Sequence, residues 1–322
     1  MERDKLIDDF LKKCRLGKIE RVKIPGDASF RRYERIFAEK KNYILMDAPP
    51  ATEDVKPFIK VADILRNLDL SAPEIAFKDI KNGLLLLEDL GNKKFNTIFK
   101  EKLGREEGLY LKAIEVLLHI YKKRQKFDIP EYNKEKLLQE AMLFVEWYLP
   151  LFGDFNSEKI KDITEEYREL VLEVIGKLKF PNDVMVLRDY HADNLMLLEE
   201  RTGIKNVGLL DFQDALMGNV TYDLVSLLED ARRDVHPQTQ NKMIDYFIEK
   251  SELDRDDFLN DYHILGAQRN LKIIGIFSRL KVRDGKEVYI PLIPRVQEYL
   301  KQDLKHPAMK ELKEFLETKC KI

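Results

Sequence analysis

The first ninety residues carry apolar positions mainly in the short runs typical of β-strands. Five segments have this character: 21–24, 30–37, 43–46, 74–78 and 84–87. Residues 54–68 instead repeat apolar side chains at helical spacing, as does the charged N-terminal stretch. The pattern predicts a small antiparallel sheet with a packed helix.

From about residue 105 onward, long amphipathic patterns predict a mainly helical region. Two short β-like runs, 184–187 and 207–210, interrupt it, and polar residues follow each of them. We therefore expect an α+β protein of two lobes. Residues 1–91 would form the first lobe, with a hinge at about 88–91, and residues 92–322 the second, helical lobe.

The amino-acid composition argues against several kinds of binding partner. With 44% hydrophobic and 35% charged residues, a folded core is expected, and a net charge of -2 argues against a nucleic-acid partner. The apolar run Gly83–Leu87 is far shorter than the roughly 20 residues of a membrane span. Two distant cysteines and the absence of a signal-peptide pattern indicate a cytoplasmic protein. The oligomeric state is left open.

Two polar clusters follow the two β-like runs. In VLRDYHADNLM, Asp189 precedes Asn194 by five positions, and Asp211 follows the second run. Phosphoryl transfer needs a carboxylate that takes the proton of the acceptor hydroxyl, and oxygen ligands that hold magnesium on the phosphates. The order matches the catalytic and metal-binding loops of kinases. Helix caps and turns are the alternative for such residues.

With these clusters, the sequence resembles the aminoglycoside phosphotransferase and choline kinase superfamily, and the resemblance covers nearly the whole chain. Several strings look more narrowly like bacterial anomeric N-acetylmuramate/N-acetylglucosamine kinases: GDASFRRY, LMDAPP, LLEDLG, LRDYHADNLM, LLDFQDA, YDLVSLLEDARRDV and GAQRNLKIIGIF. The resemblance implies a protein-kinase-like fold that binds ATP and magnesium. Residues 1–91 would then be the nucleotide-binding lobe, with the hinge at about 88–91, and residues 92–322 would carry the catalytic and metal loops and the acceptor site. The resemblance also implies that Asp189 is the catalytic base, that Asn194 and Asp211 hold the metal, and that Asp223 supports the loop.

The nucleotide side has weaker sequence support. Gly26 and Ser29 lie in a turn that can approach phosphates, although an ordinary β-turn is the alternative. By resemblance, the backbone from Glu88 through Leu90 to Gly91 would contact adenine.

The sequence departs from the general kinase pattern at two positions. Leu187 stands where a histidine usually precedes the catalytic loop, and Met46 or Asp47 occupies the place of the strand-three lysine. Another cation must then bind the phosphates. Arg31 or Arg32 is the candidate, and the alternative is that both are surface arginines.

For the acceptor, polar residues near two helices are candidates. They are His191, Asp230, Arg233 and Arg269, with Arg232, Asp234, Gln268 and Asn270 beside them. An arginine could bind the lactyl carboxylate of a muramic acid, and a carboxylate could bind sugar hydroxyls. A structural histidine and a buried ion-pair network that fastens helices are the alternatives.

Together these features predict an ATP- and magnesium-dependent kinase of a sugar hydroxyl, acting on N-acetylmuramate or N-acetylglucosamine in cell-wall recycling. A kinase of choline, an aminoglycoside or homoserine, and a nucleotide-binding pseudokinase, remain alternatives. The prediction requires Asp189, Asn194 and Asp211 to meet around one magnesium-nucleotide complex in the cleft between the lobes.

Overall fold

A computed structural model gives the fold of the chain. It describes residues 2–25, 30–101, 104, 106–153 and 155–322. Gly26 and Ser29, predicted to approach the phosphates, lie outside the described residues. The chain forms two compact units, one of Met1–Val116 with Asp193–Asp214, the other of Leu117–Ala192 with Ala215–Ile322. The prediction that residues 1–91 and 92–322 form separate nucleotide and acceptor lobes stays a prediction.

The strands, in chain order, are β1 (Ile19–Ile24), β2 (Arg32–Ala38), β3 (Tyr43–Asp47), β4 (Ile75–Asp79), β5 (Leu84–Glu88), β6 (Val184–Val186), β7 (Leu195–Leu197), β8 (Val207–Leu209) and β9 (Leu216–Gly218). The α-helices are α1 (Glu2–Lys13), α2 (Lys56–Asn67), α3 (Phe95–Glu101), α4 (Glu106–Lys122), α5 (Lys134–Ala141), α6 (Leu149–Phe152), α7 (Ser157–Ile175), α8 (Tyr222–Leu228), α9 (Pro237–Ser251), α10 (Arg255–Asp284), α11 (Ile293–Asp303) and α12 (Lys310–Phe315). Short 3₁₀ and π turns occur between several of them.

The first unit is built on an antiparallel sheet with the strand order β1-β2-β3-β5-β4. Ile36, Leu45 and Leu86 of the sheet are buried in one cluster with Phe10 and Leu11 of α1. Burial of this apolar surface against a helix stabilises the sheet, because an isolated small sheet leaves one apolar face in water. The predicted sheet and the predicted helix at 54–68, which is α2, are confirmed.

A two-stranded ribbon of β7 and β8 also belongs to the first unit. Its strands pair antiparallel, with Leu195 opposite Leu209. The backbone N–H of Leu209 donates to Ser71 (2.9 Å), and that of Leu197 donates to Lys93 (2.8 Å). These backbone bonds explain why residues 193–214 pack with the N-terminal part of the chain. The sequence predicted β8 but did not single out β7.

The second unit is organised around α10, a helix of 30 residues. It packs against α5, α8 and α11, and β6 pairs with β9 beside it. Asp254 caps the start of α10 by accepting a hydrogen bond from the N–H of Asp257 (2.9 Å), and Gly285 ends it with a positive φ of 67°. The mainly helical character predicted for this region is confirmed. Among the described residues, no helix has both the length and the apolar composition of a membrane span.

Candidate active site

The two predicted metal ligands lie side by side in the first unit. Asn194 directly precedes β7 and Asp211 follows β8, and the N–H of Leu210 donates to the carbonyl of Asn194 (3.0 Å). Asn96 donates to the carboxylate of Asp193 (2.7 Å) and so holds the residue before Asn194. Asp211 has a φ of 57°, a conformation in which Asp is tolerated better than most residues, and its side chain is 44% exposed. The ribbon therefore presents an amide and an open carboxylate together.

These side chains fit magnesium. Carboxylate and amide oxygens are hard ligands, and Mg²⁺ usually takes few protein ligands and completes its shell with phosphate oxygens and water. Across the part of the chain that the structure describes, no group of three or more His, Cys, Asp or Glu side chains forms a metal-binding cluster. A magnesium ion held by Asn194 and Asp211 would take its remaining ligands from nucleotide phosphates and water.

The two arginines after the glycine turn have different surroundings. Nη2 of Arg31 lies 3.3 Å from Oδ1 of Asp211, and its Nε lies 3.9 Å from Glu53. Nη2 of Arg32 instead lies 2.6 Å from Oδ2 of Asp47. Sequence reasoning treated them as equivalent, but in the folded chain only Arg31 is placed beside a predicted metal ligand.

Asp47 itself is a feature that the sequence did not explain. Its side chain is 4% exposed, and Arg3 of α1 binds the second carboxylate oxygen through Nε (2.8 Å) and Nη2 (2.6 Å). Two guanidinium groups therefore compensate this buried charge, as buried charges require. At the end of β3, where a lysine was expected, the chain carries an anion that links three elements.

Residues 88–91 are fixed through their side chains. The carboxylate of Glu88 accepts from Nη2 of Arg201 (2.5 Å), and that of Asp89 pairs with Nε of Arg35 (2.8 Å). Gly91 has a φ of 83°. Both carboxylates are therefore engaged by arginines of the chain itself. The roles of Glu88 and Leu90 in nucleotide binding stay predictions.

Asp189 lies in the second unit, on the loop after β6. The loop is held by the buried carboxylate of Asp223, which accepts from the N–H of Leu187 (2.6 Å) and of Arg188 (2.8 Å). Arg188 adopts a φ of 70°, which is strained for a non-glycine residue, and its carbonyl accepts from Oγ of Ser226 (3.0 Å). Burial raises the pKa of Asp223 to about 7, against these hydrogen bonds. Asp223 makes the contacts expected of a loop-supporting residue.

The charge of Asp189 is set by its neighbours. Desolvation alone would raise its pKa, but nearby cations, led by Lys272 and including Arg269 and Arg188, hold the pKa below the usual value. The side chain remains accessible to solvent. Asp189 is therefore an ionised acceptor at neutral pH, the state that a proton-accepting carboxylate needs.

A buried network that sequence reasoning missed lies behind this loop. Glu140 of α5 accepts from Nη2 of Arg188 (2.5 Å) and from Nζ of Lys272 (2.9 Å), and Tyr132 donates to the same carboxylate. Burial raises the pKa of Glu140, but the two cations outweigh it and lower the pKa overall. The available signal was a charged residue among the apolar positions of each helix: Glu140 in α5 and Lys272 in α10.

The predicted acceptor residues gather partly around His191. Nε2 of this buried histidine lies 3.3 Å from Nη1 of Arg232. Arginine can only donate, so Nε2 accepts and the ring proton is on Nδ1. Burial lowers the pKa of His191, which keeps the ring neutral at pH 7. The backbone N–H of Arg232 donates to Oδ1 of Asp230 (2.8 Å).

The remaining candidates for binding the acceptor are Asp230, Arg233 and Arg269. Asp230 is 1% exposed, and within the described ranges its Oδ2 has no hydrogen-bond partner. Arg233 is half-buried. Arg269 donates to Oγ of Ser226 (2.9 Å) and to the carbonyl of Glu229 (3.3 Å), so it fastens α10 to α8 while contributing charge near Asp189.

Gln268 and Asn270 serve the packing of helices. Gln268 donates to the carbonyl of Leu137 (2.9 Å). Asn270 donates to the buried carboxylates of Glu229 (2.7 Å) and Asp303 (3.0 Å). Asp234 pairs with Arg295 (2.5 Å). The contacts of Gln268 and Asn270 are those of the helix-fastening alternative, whereas the pair of Asp234 with Arg295 is on the surface, because the side chain of Asp234 is 81% exposed.

An antiparallel sheet with one packed helix, a helical unit, and loops with an ionised aspartate and an Asn/Asp pair define a phosphotransferase with a protein-kinase-like fold. The chain belongs to the phosphotransferase enzyme family, whose family model matches residues 20–259. It is a small-molecule kinase, and the predicted family and fold class are confirmed.

Comparison with known proteins supports this assignment. The N-acetylmuramate/N-acetylglucosamine kinase of Caulobacter vibrioides is 35% identical, covering 98% of this chain and 96% of the relative. The protein of that name from Pseudomonas aeruginosa is 35% identical over 92% of this chain and 88% of its own length.

Solved structures share the fold at low sequence identity. The choline kinase LicA from Streptococcus pneumoniae has a TM-score of 0.64 at 15% identity, covering 94% of this chain and 100% of its own. An ADP-bound aminoglycoside phosphotransferase, APH(2'')-Ib, has a TM-score of 0.63 at 15% identity, covering 93% of this chain and 98% of its own.

Proposed function

We propose that the protein transfers the γ-phosphoryl group of ATP to the anomeric hydroxyl of N-acetylmuramate or N-acetylglucosamine, with magnesium at Asn194 and Asp211. Relatives with that name match nearly the whole chain at 35% identity, and a structural neighbour binds ADP. The observation that carries the proposal is Asp189, an ionised carboxylate on a loop held by Asp223.

In this reaction Asp189 accepts the proton of the sugar hydroxyl as its oxygen bonds to the γ-phosphorus. The bond from that phosphorus to the β,γ-bridging oxygen breaks, and ADP leaves with the electron pair. Magnesium, when bound, neutralises negative charge on the phosphates. Asp223 keeps Asp189 in place through the backbone of residues 187 and 188.

The acceptor end rests on Asp230 and its neighbours. A buried carboxylate oxygen that lacks a partner is costly, so a donor from a bound ligand would stabilise Oδ2 of Asp230. Sugar hydroxyls and the acetamido N–H are such donors. Arg232 and Arg233 lie within three residues of Asp230 and are suited to a lactyl carboxylate.

The charges around Asp189 weigh against cationic acceptors. Lys272, Arg269 and Arg188 are the positive groups that lower its pKa. Arg188 and Lys272 are paired with Glu140, so the repulsion of a choline or aminoglycoside cation placed there would come mainly from Arg269. A neutral or anionic sugar fits this field better, which favours the amino-sugar reaction over the other kinase reactions.

The test is incubation of the purified protein with ATP, magnesium and separate acceptors: N-acetylmuramate, N-acetylglucosamine, choline, homoserine and an aminoglycoside. Phosphorus NMR identifies the product, and a sugar 1-phosphate is expected. The Asp189→Asn variant controls for contaminating kinases. Transfer to choline or an aminoglycoside alone would contradict the proposal, and ATP binding without transfer to any acceptor would support a pseudokinase instead.

A further inference from the structure

Within the proposed function, we infer that Arg31 provides the cation on the nucleotide phosphates that a strand-three lysine provides in most kinases of this fold. The inference rests on the proposed kinase reaction and deepens it. It separates two neighbouring arginines that the sequence cannot distinguish.

Asp47 lies at the β3 position where kinases of this fold usually carry the lysine. Asp47 ends β3, and its Cα is paired in register with that of Arg32 at the start of β2. Both oxygens of its 4% exposed carboxylate are engaged, one by Arg3 and the other by Arg32. Withdrawal of Arg32 toward a nucleotide would leave a buried oxygen of Asp47 without that partner, which is unfavourable. Arg32, although its side chain is 61% exposed, therefore joins β2 to the carboxylate at the end of β3, and Arg3 joins α1 to the same carboxylate.

The ion-pair partner of Arg31, unlike that of Arg32, is an exposed carboxylate. The side chain of Arg31 is 12% exposed, yet its partner Asp211 is 44% exposed and is the proposed metal ligand. Magnesium held by Asp211 would also hold the nucleotide phosphates, so a guanidinium nitrogen 3.3 Å from Oδ1 of Asp211 is placed close to where those phosphates would bind. A metal ion on Asp211 would neutralise that carboxylate, and Arg31 could then pair with a phosphate group instead of with Asp211. The exchange leaves no charge uncompensated.

Glu53 gives Arg31 its direction. The carboxylate lies 3.9 Å from Nε of Arg31 and comes from the turn before α2, where the N–H of Glu53 donates to the carbonyl of Pro49 (3.0 Å). A lysine on β3 paired with a glutamate is the usual arrangement in kinases. Here the cation comes from the residue before β2, and Glu53 is the positioning residue. Guanidinium also offers two parallel donors to phosphate oxygens.

The test compares Arg31→Gln, Arg31→Lys and Arg32→Gln by calorimetric titration with ATP, ADP, AMP and adenosine, each with and without magnesium. Arg21→Gln is the matched control, because Arg21 of β1 forms ion pairs with Glu34 of β2 and Asp8 of α1. Loss of a charge-assisted hydrogen bond predicts that Arg31→Gln weakens ATP and ADP binding roughly ten- to a hundredfold. Adenosine binding should change less than about threefold in this variant.

Arg31→Lys should recover part of the lost affinity, because it restores the charge but not the second parallel donor, while Arg32→Gln should lower the melting temperature and keep the preference for ATP over adenosine. Circular dichroism confirms that each variant is folded. A selective loss of phosphate affinity in Arg32→Gln, or unchanged ATP affinity in Arg31→Gln, would overturn the inference. These outcomes need no acceptor, so they remain distinct from a failure of the wild-type protein to phosphorylate any sugar.

Discussion

Replacing Glu140 by glutamine removes a carboxylate that two buried cations share. Arg188 and Lys272 contact its two oxygens, and their side chains are 16% and 10% exposed. The amide keeps the volume but not the charge. Breaking a buried ion pair by removing one partner costs about 3–5 kcal/mol, because the remaining charge stays desolvated. For a chain of 322 residues that corresponds to a fall in melting temperature of roughly 4–7 °C.

The same substitution should slow catalysis. Arg188 immediately precedes Asp189, and Glu140 fixes its guanidinium. A displaced catalytic group can cost about a hundredfold in rate. We therefore expect kcat to fall ten- to a hundredfold, roughly, while KM for ATP changes little, since Glu140 acts on the carboxylate that receives the proton.

Differential scanning calorimetry and steady-state kinetics measure the two effects. Asp245→Asn is the matched control, because its pair with Arg255 is exposed on both sides (55% and 56%) and such pairs contribute at most about 1 kcal/mol. If Glu140→Gln melts within 2 °C, roughly, of the wild type and retains its kcat, the network does not support the loop, and the reasoning from buried charge is refuted.

Three further outcomes follow from the site and the core. Asp189→Asn should lower kcat sharply and leave the calorimetric Kd for ATP nearly unchanged; unchanged turnover would remove Asp189 as the base. Asp211→Asn should raise the magnesium concentration needed for half-maximal rate, measured by titration of the metal, whereas an unaltered requirement would exclude it as a ligand. Burial raises the pKa values of Asp303 and Glu229 well above normal, so both bind protons more tightly in the folded state. Their contribution to stability is then complete below the usual carboxyl pKa and is lost as pH rises through the raised values. Asp303→Asn should therefore reduce the loss of melting temperature between pH 5 and pH 8, and a steeper loss would contradict this sign.

The periodicity of apolar residues and the spacing of polar residues were sufficient to predict most of the secondary structure and the candidate catalytic and metal-binding residues. Three features are local patterns: the apolar runs of the strands, the helical spacing of apolar residues in α2, and the order of Asp189, Asn194 and Asp211. Such patterns can be read from a single sequence, because each depends only on residues that are close together along the chain. The family resemblance used the same local strings. Nothing in the pattern ranked Arg31 above Arg32.

Tertiary structure decided which charges are buried and which partners they have. Arg31 and Asp211 are 180 residues apart, Arg3 and Asp47 are 44 apart, and Glu140 and Arg188 are 48 apart. In the sequence Arg3, Glu140 and Arg188 resemble any other solvated charge, and nothing there pairs Arg31 with Asp211. Only the packing of distant elements removes water from such a group and so fixes the partner that it must have.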